Sequence, residues 1–240
     1  MKLLIVILSP RDMPSFTLAI NKIPHDKLWV KYVGYQHDPY GQWLQYFNEH
    51  KEYTHIAICP DDLIPHPKGV ETLWEHAQTG IVVSSMLNVD KRDFDCPYRN
   101  MWPIAATKNL PTLEFPRNYD WYTIGEIKEY LRYNDLTLAP VPHTGAGFLI
   151  LPRELVQKVT FLGDKESMTY RKKPSAYDVG ISHDLIKHGI TQYVDTSVFF
   201  AHFRYGSEIQ NGKKEPHLIV DKWNQDPIIK PLYEIVPFAR

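Results

Sequence analysis

The stretch THIAICPDDLIP, residues 54–65, decides the fold prediction because a mainly apolar run ends there in two adjacent acids. A short apolar run bounded by turn residues predicts a buried β-strand, here over 54–59. Asp61 and Asp62 then stand just past the carboxyl end of that strand. Ligands of open α/β sheets bind outside the carboxyl ends of the strands, so both acids are expected at a binding edge.

Strand and helix signals alternate on both sides of this stretch. Further strands are predicted at 3–8, 28–35 and 81–87, and helices at 14–23, 40–50 and 67–77. The order predicts an α/β fold with a Rossmann-like, mostly parallel sheet that carries helices on both faces. The sequence lacks GxGxxG after the first strand and GxxxxGK[ST] anywhere, which argues against a dinucleotide-binding fold of the usual kind and excludes a P-loop NTPase.

The alternation stops at residues 88–144, a stretch rich in aromatic residues and prolines. Only 123–133 has helical periodicity there, and we predict an aromatic-rich insert or acceptor-side region. Regular elements return after it, with predicted strands at 147–151, 191–194 and 198–202 and helices at 153–159 and 178–188. The polar segment 207–240 is predicted to be a C-terminal tail outside a domain of residues 1–206.

The composition limits the class of protein. A formal net charge of -1 provides no basic field, so we expect no nucleic acid partner. The two cysteines have no metal-binding spacing and fit a reducing compartment. No apolar stretch approaches the roughly 18–20 residues that span a bilayer, and the run at 3–8 is too short for a signal peptide. We therefore expect a soluble, cytoplasmic protein.

The pair Asp61-Asp62 has two interpretations on its chemistry alone. Adjacent carboxylates at the end of a buried strand repel each other and lose hydration, and a divalent cation such as Mg²⁺ or Mn²⁺ relieves both costs. Alternatively, one acid caps the helix that begins near Pro67 and its neighbour is solvated. The residues by themselves leave both interpretations open.

Four segments, in this order and at this spacing, resemble the GT-A glycosyltransferases, in particular their inverting family 2-like group. The segments resemble, in turn, that fold's metal-site strand with its DxD-type motif, the glycine-containing strand beside the acceptor, the helix that supplies the catalytic carboxylate, and the closing strand with its late histidine. They are THIAICPDDLIP (54–65), GAGFLILPRE (145–154), YDVGISHDLIKHG (177–189), and YVD (193–195) followed by His202.

Two positions depart from the family's pattern. Pro60 stands where a strict DxD motif has its first acid, which leaves the DXD-like sequence Pro60-Asp61-Asp62. Tyr177 replaces the acid that often precedes the catalytic aspartate, which leaves Asp178 as the one candidate there. Both departures support an alternative, a degenerate GT-A domain that only binds a carbohydrate or a partner.

The resemblance implies a glycosyltransferase that moves a sugar from a UDP- or GDP-sugar to an acceptor hydroxyl and inverts the anomeric centre. It implies that Asp178 is the general base and that Asp62 and His202 hold Mn²⁺ or Mg²⁺. The nucleotide sugar would be bound by Ser9, Pro10, Arg11, Asp38 and Asp61. Gly145 and Gly147 would border the acceptor, whether it is a carbohydrate, a lipid or a protein. Outside the segments that carry the resemblance, Tyr98 and Trp102 are candidates to stack on a sugar face of the acceptor.

Structural roles and one further enzyme class remain as alternatives. The helix dipole favours an acid such as Asp178 in a first turn, His202 fits an ordinary buried histidine, and Asp38 before a proline fits a plain turn. Sugar-1-phosphate nucleotidyltransferases share a related sheet and use acids with Mg²⁺. They usually carry a glycine-rich loop after the first strand, and the loop SPRDMP at 9–14 has no glycine.

Overall fold

A seven-stranded sheet forms the centre of the molecule, as a computed structural model of the chain shows. The structure describes residues 1–9, 14–31, 39–61, 63–87, 103–113, 117–134, 137–145, 147–159, 177–210 and 213–218.

The helices and strands have the following bounds. The helices are α1 (Pro14–Ile20), α2 (Pro39–Glu49), α3 (Pro67–Ala77), α4 (Ile124–Asn134), α5 (Arg153–Val156) and α6 (Tyr177–Lys187). The strands are β1 (Leu3–Ser9), β2 (Asp26–Lys31), β3 (His55–Pro60), β4 (Leu63–Ile64), β5 (Val82–Met86), β6 (Pro103–Thr107), β7 (Trp121–Thr123), β8 (Leu138–Val141), β9 (His143–Thr144), β10 (Leu149–Pro152), β11 (Gln192–Phe199), β12 (Ala201–Gln210) and β13 (Lys213–Leu218).

The central sheet has the strand order β2-β1-β3-β10-β5-β11-β8. β1 pairs in parallel with β2 and β3, and β5 pairs in parallel with β11. β10 is antiparallel to both of its neighbours, and β8 is antiparallel to β11. The strands β1, β2, β3, β5 and β11 therefore run in one direction, and the predicted mostly parallel, Rossmann-like α/β sheet is confirmed.

Apolar residues on alternate positions of β1 divide between two cores, because successive side chains of a strand point to opposite faces. Leu3, Ile5 and Ile7 join the core under α1 and α3. Leu4 and Val6 join the core under α2, α5 and α6. Helices thus cover both faces of the sheet, as the alternating pattern predicts.

The region 88–144 contributes more regular structure than the sequence pattern predicts. The predicted helix at 123–133 is confirmed as α4. β6, β7 and β9 form a small separate sheet, and β8 adds an edge strand to the central sheet. β8 carries Pro140, and an edge position tolerates a proline because one side of the strand has no ladder bond to lose.

The C-terminal part of the described chain is an antiparallel hairpin. β11 is one continuous strand where the sequence suggests two, and β12 and β13 pair with each other directly after it. β12 continues past residue 206, where the sequence places the end of the domain, and β13 lies within the predicted tail. Helices of the length and apolar character needed to cross a bilayer are absent from the described part of the chain.

Candidate functional site

The carboxyl ends of β1 and β3 bring Ser9 and Asp61 to the same edge of the sheet. Leu8 lies opposite Pro60 in the parallel register, and the backbone N–H of Asp61 donates to the carbonyl oxygen of Leu8 at 3.1 Å. Ser9 and Asp61 are both buried. Two residues predicted to bind the nucleotide sugar therefore lie at the carboxyl ends of neighbouring strands.

Several other predicted site residues lie outside the described part of the chain, so their roles stay predictions. They are Pro10, Arg11, Asp38, Asp62, Tyr98 and Trp102. His202 lies on β12 and is described by its backbone.

The pairing of β4 with β12 brings the backbone of His202 back to the loop that follows β3. His202 lies directly opposite Leu63 in this antiparallel pair, and Leu63 is the residue after Asp62. Residues directly opposite each other in such a pair have Cβ atoms about 4.5–5.5 Å apart. The metal-binding roles of Asp62 and His202 stay predictions. The described side chains contain no group of three or more His, Cys, Asp or Glu that could hold a metal ion.

Gly145 and Gly147 are closely packed, Gly145 against Ala105 of β6 and Gly147 against Leu87, the residue after β5. A Cβ atom on Gly147 would overlap the side chain of Leu87, and one on Gly145 would lie 2.9 Å from Cβ of Ala105. The carbonyl oxygen of Gly147 also accepts a hydrogen bond from the hydroxyl of Ser85 at 2.6 Å. These contacts explain both glycines without an acceptor, and their acceptor role stays a prediction.

Phe148 turns the chain from this packed segment into β10 with a positive φ of 59°. A left-handed conformation costs a non-glycine residue about 1–2 kcal/mol. The buried ring of Phe148 packs edge-on against Phe200, with the ring centroids 5.5 Å apart. This core contact offsets the cost of the turn.

Asp178, the predicted general base, lies in the first turn of α6. Its Oδ1 atom accepts a hydrogen bond from the backbone N–H of Val179 at 2.9 Å, and its side chain is 21% exposed. Burial raises the pKa of Asp178 to about 6, although the Val179 N–H and the charge of Arg117 act in the opposite direction. The structure therefore provides a carboxyl group that solvent reaches and that ionises close to neutral pH.

The direction of α6 follows from its connection to β11. Gly189 has a positive φ of 68° just after the helix, as the sequence predicts for its C-terminal turn. The chain then enters β11 at Gln192, which lies level with Val82 at the start of β5. Since β11 runs toward the carboxyl edge, α6 runs away from it, and its first turn is the end directed toward that edge.

Three buried polar side chains lie next to Asp178, those of His143, Ser182 and Gln192. We call these four residues the Asp178 cluster. The hydroxyl of Ser182 lies 3.0 Å from the carbonyl oxygen of Asp178, 2.9 Å from Nδ1 of His143 and 3.3 Å from Oε1 of Gln192. Nε2 of His143 lies 3.9 Å from Oδ2 of Asp178. The cluster thus connects Asp178 to β9 and β11.

Two stacked aromatic rings lie beside the cluster. Tyr119 and Trp121 stack with centroids 4.4 Å apart, and their centroids lie 5.9 Å and 6.3 Å from that of His143. Burial, with smaller contributions from the charges of His183 and Arg117, lowers the pKa of His143 to about 4. His143 is therefore a neutral imidazole at physiological pH.

Comparison with known proteins identifies a fold but no family. No family model matches this chain. No curated protein matches it. Among solved structures, protein A197 from STIV matches 91% of this chain and 94% of its own chain, with 15% sequence identity and a TM-score of 0.53. The two proteins therefore share a fold, and an identity this low carries no information about activity.

Two enzyme structures match less well. CMP:2-keto-3-deoxy-manno-octonic acid synthetase complexed with CTP matches 81% of this chain and 89% of its own, with 11% identity and a TM-score of 0.39. Apo-UDP-glucose pyrophosphorylase matches 85% of this chain and 75% of its own, with 10% identity and a TM-score of 0.37. TM-scores below 0.5 do not establish a common fold.

The sequence singles out Asp178 but none of its cluster partners. Ser182 lies four residues after Asp178 and so on the same helix face, a signal that periodicity contains. His143 directly precedes the glycine-containing segment that the resemblance covers. Gln192 has no such signal, because its contact with the cluster depends on how β11 and β8 pair.

Proposed function

We propose that this protein is a glycosyltransferase that moves a sugar from a UDP- or GDP-sugar to an acceptor hydroxyl with inversion, and that it depends on a divalent metal. The observation that carries the proposal is the state of Asp178. Its carboxyl is partly exposed, and burial raises its pKa to about 6. A general base works best when its pKa lies near the working pH, because it is then ionised and still basic enough to take a proton.

The hydrogen bonding of Asp178 determines which of its oxygens takes the proton. Oδ1 is occupied by the backbone N–H of Val179. Oδ2 therefore accepts the proton of the acceptor hydroxyl. At the same time, the hydroxyl oxygen of the acceptor attacks the anomeric carbon of the sugar. The bond from the anomeric carbon to the diphosphate breaks on the opposite side, and the nucleoside diphosphate leaves with the electron pair.

The sugar donor is proposed to bind at the carboxyl edge formed by β1 and β3. Ser9 and Asp61 lie side by side there, and Pro10, Arg11 and Asp38 follow the ends of β1 and β2 in the sequence. Groups at this edge of a parallel sheet are positioned to contact a nucleotide.

Asp62 and His202 are proposed to hold Mn²⁺ or Mg²⁺. The support is the register of β4 with β12, which sets His202 opposite Leu63, the residue that follows Asp62 in the sequence, and the preference of these cations for carboxylate and phosphate oxygens. When bound, the cation supplies positive charge that stabilises the leaving diphosphate.

The acceptor is proposed to approach Asp178 past the segment that contains Gly145 and Gly147. This segment joins β9 to β10 and so runs from the Asp178 cluster to the central sheet. Tyr98 and Trp102 are proposed to stack on a sugar of the acceptor. A carbohydrate, a lipid-linked or a protein hydroxyl would all satisfy the chemistry of the base.

The test is a panel of UDP-, GDP- and dTDP-sugars, assayed for nucleotide release with Mn²⁺, with Mg²⁺ and with EDTA. We expect one nucleotide to be released in a metal-dependent reaction. Asp178→Asn should reduce release by about 100-fold or more, since a general base contributes about 10²–10⁴-fold. Asp62→Ala should abolish the metal-dependent release. Asp184→Asn, the same change on the same helix, is the control and should leave the rate within about twofold.

Three outcomes would contradict the proposal. One is release that Asp178→Asn leaves unchanged. Another is pyrophosphate production from a nucleoside triphosphate and a sugar 1-phosphate, which would identify a nucleotidyltransferase. The third is binding of a sugar nucleotide without turnover under any metal condition, which would identify a binding domain.

A further inference from the structure

The protonation of His143 follows from the hydrogen bonds of Ser182. The hydroxyl of Ser182 faces the carbonyl oxygen of Asp178 and Oε1 of Gln192, and both of these are acceptors. The amide orientation of Gln192 is set because its Nε2 donates to the carbonyl oxygen of Pro142. Ser182 has one proton, which goes to one of the two oxygens. This arrangement favours a proton on Nδ1 of His143, which lies 2.9 Å from the Ser182 oxygen and then donates to it.

A neutral imidazole that carries its proton on Nδ1 has a lone pair on Nε2. His143 is fully buried, and its Nε2 atom has no hydrogen-bond partner among the residues that the structure describes. Oδ2 of Asp178 lies 3.9 Å away, and an ionised carboxylate offers no proton to a lone pair. A buried acceptor without a donor is destabilising, and this one acquires a donor only when Asp178 is protonated.

We propose that His143 is a positioning residue for the general base, whose Nε2 accepts a hydrogen bond from Asp178 once Asp178 has taken the acceptor's proton. This inference rests on the proposed function. In the step, the O–H bond of the acceptor hydroxyl breaks and an Oδ2–H bond forms on Asp178. The imidazole takes no proton. Its Nε2 atom accepts a hydrogen bond from the protonated Asp178 and so stabilises this acid while the bond to the sugar forms.

Charged and polar groups around the pair keep His143 in the acceptor role. Burial disfavours a positive charge on the imidazole most, and His183 and Arg117 disfavour it too, while a hydrogen-bond contact with the backbone of Asp178 acts in the opposite direction. Tyr119 lies beside the ring, and its own pKa is raised by burial and by the charge of Asp178. His183 donates from Nε2 to the carbonyl oxygen of Pro111 at 2.7 Å and so does not compete for the lone pair. His143 thus stays neutral over the pH range in which Asp178 ionises.

The test compares His143→Leu, which removes the acceptor, with His143→Gln, which places an amide oxygen near the position of Nε2. With the sugar donor identified by the panel, kcat should fall about tenfold in His143→Leu, while KM for both substrates changes less than threefold. The acid limb of the kcat–pH profile should move down by about one pH unit, because the protonated base loses its partner. His143→Gln should recover most of the lost kcat and should return the acid limb most of the way to its wild-type position.

A second measurement needs no substrate. ¹⁵N NMR of the imidazoles in the wild-type protein should show His143 with its proton on Nδ1 and a lone pair on Nε2. A ¹³C titration of the carboxyl of Asp178 should give a lower pKa in His143→Leu than in the wild-type protein. A proton on Nε2, or a pKa of Asp178 that His143→Leu leaves unchanged, would overturn the inference.

The two proposals fail in different ways. If Asp178→Asn stays active, the base assignment and with it the proposed function are wrong. If Asp178→Asn is inactive but His143→Leu keeps the wild-type kcat and pH profile, the proposed function stands and the positioning role of His143 is wrong. An equal loss in His143→Leu and His143→Gln with an unmoved acid limb would indicate a packing role alone.

Discussion

Asp178 and His143 both hold their neutral forms beyond the usual pH range, and burial is the main cause in each case. The pKa of His143 falls from 6.5 to about 4 on folding, so the unfolded chain binds more protons between these values. This difference makes stability fall as the pH falls. The pKa of Asp178 rises from 3.8 to about 6, so the folded chain binds more protons there and stability falls as the pH rises.

The two trends oppose each other between about pH 4 and 6 and should nearly cancel in the wild-type protein. Asp178→Asn leaves the histidine effect, so its free energy of unfolding relative to wild type should increase from pH 4 to pH 6. His143→Gln leaves the aspartate effect, so its relative free energy should decrease over the same range. Each change should reach up to about 3 kcal/mol, since one pKa unit corresponds to about 1.36 kcal/mol.

Urea unfolding at pH 4.5, 5.5 and 6.5 measures these slopes. Referring each variant to the wild-type protein at the same pH removes the contribution of all other titrating groups. If the free energies of unfolding of the two variants changed in parallel with pH, folding would not change the pKa values of Asp178 and His143.

The positions of single residues were predictable from the sequence where the residue lies at the end of one predicted strand. Ser9 and Asp61 follow buried apolar runs, and the rule for carboxyl ends places both at one edge of the sheet. The surroundings of Asp178 were not predictable in this way. Its partner His143 lies 39 positions from Ser182 in the chain, and the contact exists only because β9 packs beside α6.

At the level of elements, Arg153 joins α5 to the end of α2. Its Nη2 atom donates to the carbonyl oxygens of Phe47 and His50, both at 2.8 Å, and its Nε atom donates to that of Tyr53 at 2.7 Å. The guanidinium carbon also lies 3.7 Å from the centroid of the Phe47 ring. One planar cation thus binds three carbonyl oxygens in the last turn of α2 and in the loop that follows it.

Arg153→Lys should lower the free energy of unfolding by about 2 kcal/mol, because one ammonium group cannot reach all three carbonyl oxygens in this geometry. Urea unfolding at neutral pH measures the change. Lys158→Arg, an exchange between the same residue types at an exposed site just after α5, should stay within about 0.5 kcal/mol of the wild-type protein. A loss in Arg153→Lys no larger than in this control would show that the three bonds are not needed together.

Elements were predictable where apolar periodicity is strong and ambiguous where it is short. β1, β3, β5 and α3 lie within a residue or two of their predicted bounds. The strand at β10 was expected, but its direction was not, because a run of four apolar and proline residues has no feature that sets its orientation. β8 was missed since its short sequence, LAPV, contains a proline and lacks the alternation of a half-buried strand.

For the whole molecule, the order of strands in the central sheet differs from their order in the chain. Both neighbours of β5 in that sheet, β10 and β11, come from beyond residue 148. β3 likewise has β10 as its second neighbour. The first half of the chain therefore contains four strands of the sheet, β1, β2, β3 and β5. Only three of them, in the order β2-β1-β3, pair with one another, and β5 stands apart.

A fragment of residues 1–148 should show no cooperative unfolding transition in urea by circular dichroism or tryptophan fluorescence. The reason is that this fragment lacks β10 and β11, the two strands that pair with β5. Without them β5 has no partner strand, and α3 has only an incomplete sheet to pack on. A fragment of residues 1–218, which retains every helix and strand described, is the control and should unfold cooperatively. A sharp, native-like transition in the shorter fragment would contradict the argument.

The central place of β10 also has a consequence during synthesis on the ribosome. At about 5–20 residues per second, the nascent chain needs on the order of 3 to 12 seconds to extend from the end of β5 to the start of β10. Throughout that interval β3 and β5 expose unpaired edges of almost uncharged strands, the kind of surface that joins to other chains. We therefore expect newly made molecules to rely on chaperones until residue 152 has left the exit tunnel, and slower translation of residues 88–148 to favour aggregation.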